Sequence, residues 1–294
     1  MTTTSPHRQI TLRDLDLLTV IDRHPFTARQ LLHLSETFVH PFTHDRLLRR
    51  RFAELRKAGL VKDWPLATVS NGGAPHYWKL TRAGFPLVHG REIPLPSRRY
   101  FEPLAPGHHH HSFCLGEFLS HVLVAAHREG IAVDHFAREN SLKFEAGAFT
   151  MYPDCAFQRR HPDGRPFNFV IELDNSTERM RSRMDVESIE RKLRGYDAHQ
   201  SQYDALDSAR YVVLFITTRS ETRLQHILDL ASMVMQNPQR TVFIGVHLPV
   251  LLATANPFRQ AIFRDHRGLK RTLTPIPATP QPRPAQRRSE AVVG

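Results

Sequence analysis

Cysteine is nearly absent from this chain. Cys114 and Cys155 stand alone, without metal-ligand spacing. That excludes a disulfide-stapled scaffold, and the pair reads as free thiols of a reducing compartment. Long apolar runs are missing too. No stretch of about 18 apolar residues occurs, so no transmembrane helix is expected. The first ten residues, Met1 to Ile10, hold no apolar core of a secretory leader, so a cytoplasmic location and no membrane partner are expected. What is present in excess is positive charge. The net charge is +11 over 294 residues, with +8 in residues 1–100, −2 in 101–263 and +5 in 264–294. A chain basic at both ends around a near-neutral middle points to nucleic acid as partner. The length suits two domains.

The first of these is expected over residues 8–95. Thr11 and Asp14 have the spacing of a capping box, with Asp in place of the usual Glu or Gln. Leu15, Leu18, Val20 and Ile21 follow at near-helical intervals. Thr27 caps a second helix with Leu31, Leu32 and Leu34 as its core side. Thr43 is expected to cap a third, in which Leu48, Phe52 and Leu55 share a face and Gly59 supplies the stop. Two short strands, 60–64 and 76–80, flank a turn-rich tip at 70–74. Three helices followed by a hairpin is the order of a winged helix-turn-helix, and Leu55-Arg-Lys-Ala-Gly-Leu-Val61 with Tyr77-Trp-Lys-Leu-Thr-Arg-Ala-Gly84 resembles bacterial winged-helix domains. The third helix carries Arg46, Arg49, Arg50, Arg51 and Lys57. Together with Thr43 these are the expected contacts to double-stranded DNA: a recognition helix needs an apolar back and a cationic front. The competing reading is a solvated basic helix in a protein-binding winged helix.

Residues 96–111 are rich in proline and read as a connector. It ends in His108 to His111. Four adjacent histidines form either a metal-binding tract or a helix start at which one or two of them pack. Metal sites that do chemistry draw ligands from several elements, which favours packing.

Over 112–263 the pattern becomes α/β (α+β). The expected order is a helix at 112–129, strands at 131–136, 150–158 and 168–173, a helix at 186–203, a strand at 211–217, a helix at 221–235 and a strand at 241–247. The turn His161 to Gly164 joins the second and third strands. This order resembles the restriction-endonuclease-like core, written PD-(D/E)XK. Its motif here is Pro153-Asp154 and then Glu172-Leu173-Asp174. Asp154, Glu172 and Asp174 are candidate ligands of a Mg²⁺ ion, which prefers oxygen donors and would polarise a scissile phosphate. Asp154, Glu172 and Lys192 are the candidate catalytic set. The motif's lysine position is held by Asp174, so a cation would have to reach the site from Lys192 or Lys143, and Glu117 is a further candidate carboxylate. The missing lysine counts against cleavage.

The whole chain also resembles the replication-relaxation proteins of plasmids and mobile elements. The residues that carry the resemblance are His111 before the long helix, Pro153-Asp154-Cys-Ala-Phe157, Glu172-Leu-Asp174-Asn-Ser-Thr177-Glu178 and Lys192-Leu193-Arg-Gly-Tyr196. The resemblance makes Asp174 an ordinary family residue. It implies DNA binding in replication, copy control or mobilisation, and leaves cleavage by the nuclease-like second domain open; with the motif lysine absent, the leading expectation is a second domain that does not cleave. Two alternatives stay open: a Mg²⁺-dependent endonuclease, and a dimeric winged-helix transcription regulator. A homodimer or replication and mobilisation proteins are the expected protein partners. Residues 264–294 read as a disordered basic tail.

Overall fold

The computed structural model describes residues 10–67, 74–160, 164, 166–181, 188–204 and 207–273. Side-chain caps set the first two helices. In α1 (Leu12–Arg23) the Thr11 hydroxyl accepts the Asp14 N–H, and the Asp14 carboxylate accepts the Thr11 N–H at 2.7 Å. Aspartate therefore completes this capping box. Thr27 and Gln30 form the same reciprocal pair at the start of α2 (Ala28–Leu34). The third helix, α3 (Asp45–Lys57), differs from expectation. Its N-cap is His44, with no side-chain cap bond, and Thr43 is an exposed residue one step outside. Gly59 ends α3 with φ +72°, and the Leu60 N–H closes on the Leu55 carbonyl at 3.0 Å. A left-handed glycine is the usual way to satisfy the last carbonyls. Strands β1 (Val61–Pro65) and β2 (His76–Leu80) pair antiparallel from Val61↔Leu80 to Pro65↔His76. Most of the expected tip, residues 70–73, lies outside the described residues. The short helix α4 (Phe85–His89) follows. Three helices and a hairpin thus come in the order expected of the sequence.

The segment 96–111 is not a free connector. Tyr100 and Phe101 pack on Phe85. The Lys79 ammonium donates to the Glu102 carbonyl at 2.5 Å, and the Leu104 N–H donates to the Tyr77 hydroxyl at 2.8 Å. The histidine run is the first turn of α5 (His109–Arg128). His109 is buried and takes the Ala67 N–H on Nδ1 at 2.8 Å, while His108 and His110 are exposed.

The rest of the chain builds one mixed sheet. It contains β3 (Ala132–Ala137), β6 (Cys155–Arg160), β7 (Pro166–Asp174), β8 (Tyr211–Thr217), β9 (Phe243–His247), β10 (Phe263–Asp265) and β11 (Lys270–Arg271), in the spatial order β11-β10-β9-β8-β7-β6-β3. The neighbours β7, β8 and β9 are parallel; the other pairs are antiparallel. Of the turn expected between β6 and β7, residues 161–163 lie outside the described residues. The expected strand 150–158 is broken at Tyr152 to Asp154. Its first part is β5 (Phe149–Met151), which pairs with β4 (Phe144–Ala146) in a separate hairpin. Alternation along the strands separates two faces. Cys155, Phe157, Ile171 and Leu214 face α5 and α8 (Leu248–Leu252), whereas Ala156, Val170, Val213 and Phe215 face α6 (Ile189–Gln200) and α7 (Glu221–Val234).

One apolar core runs without a break from α1, α2 and α3 through α5 into the sheet. Gly116 leaves room for the Gln30 amide between α2 and α5: a Cβ there would sit 2.8 Å from the Gln30 Oε1. Arg29 and Gln30 on α2 both reach Glu117 on α5, at 2.7 and 2.8 Å. Glu117 therefore belongs to this junction and is not a third site carboxylate. The sheet also continues past 263, which corrects the start expected for the tail. Fully buried Arg159 donates to the Leu273 carbonyl, and buried Asp265 binds Arg267 and Arg271. Residues 274–294 lie outside the described residues.

Candidate nucleic-acid interface and carboxylate cluster

Helix α3 buries Leu48, Phe52 and Leu55 and leaves Arg46, Arg49, Arg50 and Lys57 exposed. Steps of three, one and seven residues keep these four on one side. Arg49 has an (i, i+4) partner in Asp45 at 2.5 Å, with its side chain 66% exposed, so the bond is solvent-screened and easily exchanged. Arg51 does not share this face. It lies three residues after Leu48 and four before Leu55, on the flank of the apolar side. There it pairs with Asp14, whose side chain is fully buried, and with Glu54 at 2.7 Å. Its guanidinium is held charged by Asp14, and Asp14 is pulled below the usual carboxylate range by Arg51 and Thr11 against the cost of burial. Arg51 is thus a strut between α1 and α3. Its removal from the expected DNA set follows from helical spacing.

The second cluster gathers at the C-terminal end of β7. Asp154, in the turn before β6, accepts the Leu173 N–H on Oδ2 at 2.6 Å and lies 2.9 Å from His111 Nε2 through Oδ1. Glu172 is 2% exposed and receives Lys192 Nζ at 2.9 Å on one oxygen and the Tyr196 hydroxyl on the other. Lys192 also bonds Glu178 at 2.7 Å. Asp174 is clamped by Arg223 of α7 through two 3.0 Å bonds, and the same guanidinium reaches the Glu178 carbonyl at 2.7 Å. A cavity of about 50 Å³ opens onto these groups. The expected reach of Lys192 is observed. Lys143 is instead exposed and paired with Glu145 at 2.5 Å.

Burial raises the Glu172 carboxyl to about 7; Lys192 opposes the rise and nearby Asp154 adds to it. Asp154 moves the other way, because His111, Lys192 and the Leu173 N–H outweigh its burial. His111 is raised by Asp154 in spite of burial. Lys192 is raised by its carboxylates, also against burial. Two carboxyls with separated ionisation are a known mark of functional sites, but ion-pair networks produce the same pattern.

The donor set does not suit the expected Mg²⁺. Each oxygen of Asp154, Glu172 and Asp174 already faces a proton donor or cation of the chain. Among the described residues no three His, Cys, Asp or Glu side chains form a metal-holding group. Magnesium needs near-octahedral oxygen ligation, and here lysine, arginine and histidine occupy the positions a cation would take.

A family model described as Replication-relaxation matches residues 18–210. The chain belongs to the replication-relaxation family. The matched stretch takes in the arginine face of α3 and, in the second cluster, His111, Asp154, Glu172, Asp174 and Lys192; it ends before Arg223. Membership in the replication-relaxation family points to a role in the replication or mobilisation of plasmids and other mobile elements. No curated protein and no solved structure matches the chain. No described helix is long and apolar enough to cross a membrane.

Sequence reasoning missed His111, Tyr196, Glu178 and Arg223 as members of the cluster. His111, Glu178 and Tyr196 each stand inside the family motifs, so a signal was there. Arg223 had none: it reaches Asp174 from 49 residues away.

Proposed function

We propose that this protein binds double-stranded DNA of a plasmid or mobile element through a winged helix at its N-terminus, with α3 in the major groove. The observation that carries this reading is the split character of α3: a buried Leu48-Phe52-Leu55 side and an exposed Arg46-Arg49-Arg50-Lys57 side. Arginine offers paired donors that match guanine edges and phosphates. The second unit has the element order of a restriction-endonuclease-like domain. We read it as a platform that does not cleave, because its carboxylates are neutralised within the chain. The test is fluorescence polarisation on duplex DNA across a salt series. Arg49→Ala with Arg50→Ala is expected to weaken binding at least tenfold and to lower the magnitude of the log–log salt slope by about 2, close to one for each phosphate no longer neutralised. Unchanged affinity and slope would overturn the reading.

A further inference from the structure

A cation-rich hollow shares no lining residue with the carboxylate cluster or the arginine face of α3, although its His24 and Glu139 act electrostatically on His111. It is a cavity of about 310 Å³ where the end of α1, strand β2, the segment 96–108 and the turn 138–141 meet. That volume is at the lower end of small-ligand pockets. Four cationic side chains line it, Arg23, Lys79, Arg99 and Arg138, against two carboxylates, Asp22 and Glu139. Asp22 is already engaged by the Tyr100 hydroxyl, by His89 at 3.0 Å and by Arg138 at 3.8 Å. Arg138 lies over the Tyr100 ring at 3.9 Å, which fixes its plane.

Two of the cations keep donors to spare. Arg23 lies over the Phe136 ring at 5.6 Å and feels Asp22 and Asp134 electrostatically, but makes no side-chain hydrogen bond among the described residues. Its guanidinium keeps five donors in a flat fork. Lys79 gives one proton to the Glu102 carbonyl and holds two more. Burial and the neighbouring Arg138 push its ammonium down to about 8, although Glu102 and Glu139 pull the other way. Burial is the larger cause, so the ammonium is short of hydration more than of counter-charge, and an anion entering beside it would supply the missing partners.

We propose that this cavity binds a phosphomonoester or diphosphate group, with Arg23 and Lys79 as its principal ligands and Arg99 at the rim. Arginine and lysine are the usual protein partners of phosphate oxygens, the first as a fork and the second as a point charge. Such a group comes either from a free nucleotide or from a 5′-phosphorylated nucleic-acid end. In either case it would bridge the first unit, through α1 and β2, to the turn at 138–141 in the second.

The experiment is isothermal titration of the full chain with inorganic pyrophosphate, then with matched single-stranded oligonucleotides bearing a 5′-phosphate or a 5′-hydroxyl. Pyrophosphate is expected to bind, and Arg23→Gln with Lys79→Gln to weaken it at least tenfold. Arg49→Ala with Arg50→Ala should leave pyrophosphate binding unchanged. Preference for the 5′-phosphate, lost in the Arg23 and Lys79 variant, assigns the site to nucleic-acid ends. Pyrophosphate binding without that preference assigns it to free nucleotides. No pyrophosphate binding, or binding indifferent to Arg23 and Lys79, overturns the site. Arg99→Gln, an exposed change that spares the fold, gives an independent check with an expected severalfold loss.

Discussion

The two charged regions of this molecule treat their charges in opposite ways. On α3 the arginines point to water, and Asp45, which pairs with Arg49, is itself at the surface. At the end of β7, three cations (His111, Lys192, Arg223) and four carboxyls (Asp154, Glu172, Asp174, Glu178) are mostly out of solvent and bound to one another. An exposed cation keeps its capacity to release counterions on meeting a polyanion. A buried, paired one has lost its hydration already and serves mainly to satisfy its neighbours. Similar residue types therefore give the exposed face we propose as a DNA interface in one place and a locked joint in the other.

The comparison is broken most severely by removing one member of the joint. Lys192→Met leaves Glu172 and Glu178 without their cation, and loss of one partner from a buried pair costs about 3–5 kcal/mol. Urea denaturation should show that loss, and DNA affinity of the folded fraction should not change. Arg51→Ala comes next. It strips the buried Asp14 carboxylate of its guanidinium, and we expect a destabilisation of about 2–3 kcal/mol. Arg50→Ala, one residue earlier, should stay within about 0.5 kcal/mol of the parent in stability, as surface changes do, while weakening DNA binding. If Arg51→Ala instead weakened DNA binding at unchanged stability, the division between strut and interface would be wrong.

A gentler way to sharpen the comparison is pH. Glu172 holds its proton up to about 7 in the folded chain but only to 4.5 in the unfolded one. The stability from this group is fully present below 4.5 and is lost as pH rises toward 7. His111, raised above 6.5, contributes stability that is fully present below 6.5 and is lost at higher pH. Both slopes run downward between pH 5 and 8. Asp154, depressed below 3.8, acts only at lower pH, where its contribution disappears on acidification. Thermal melts should show stability falling by on the order of 2 kcal/mol across the window. Glu172→Gln should flatten the part below pH 7 and leave the His111 part. The smallest expected effect is that of Mg²⁺: millimolar additions should shift the melting temperature little and should not nick supercoiled plasmid. Nicking that disappears in Asp154→Ala would return the endonuclease reading.

Much of the fold was legible because the chain's patterns are local. The apolar run Tyr211 to Thr217 could only be a buried strand, and the caps at Thr11 and Thr27 announce their helices by spacing alone. Asp154 and Glu172 were found as neighbours because a hairpin brings 18 residues of separation back to one place. Arg51 was misplaced although Leu48 and Leu55 already fixed its side of the helix. Counting arginines by proximity in sequence overrode the angle. Strands β10 and β11, the last two at one side of the sheet, were hidden by the basic character of the segment. Asp265 collects Arg267 and Arg271 there, a long-range neutralisation that composition cannot show. The packed state of 96–111 was hidden for a similar reason: prolines announce stiffness, but Tyr100 and Phe101 decide where the segment lies.

Gly116 has a reach beyond its own neighbours. By leaving room for the Gln30 amide it lets that side chain bond the Phe113 carbonyl and Glu117 of α5, at 3.1 and 2.8 Å, beside an apolar core that runs from the first unit into the sheet. A body with one continuous core, if it meets DNA through α3 as proposed, presents its remaining surface at a fixed rotational angle around the duplex. One turn of B-DNA spans roughly 34–36 Å. On a target with a second point of attachment beyond the α3 site, inserting half a turn between the two would swing that point to the far side of the duplex, while inserting a full turn would restore its direction. On the proposed DNA-binding reading the protein would then respond to helical phase, and the Gln30 bonds that Gly116 makes room for are among those tying its two units together.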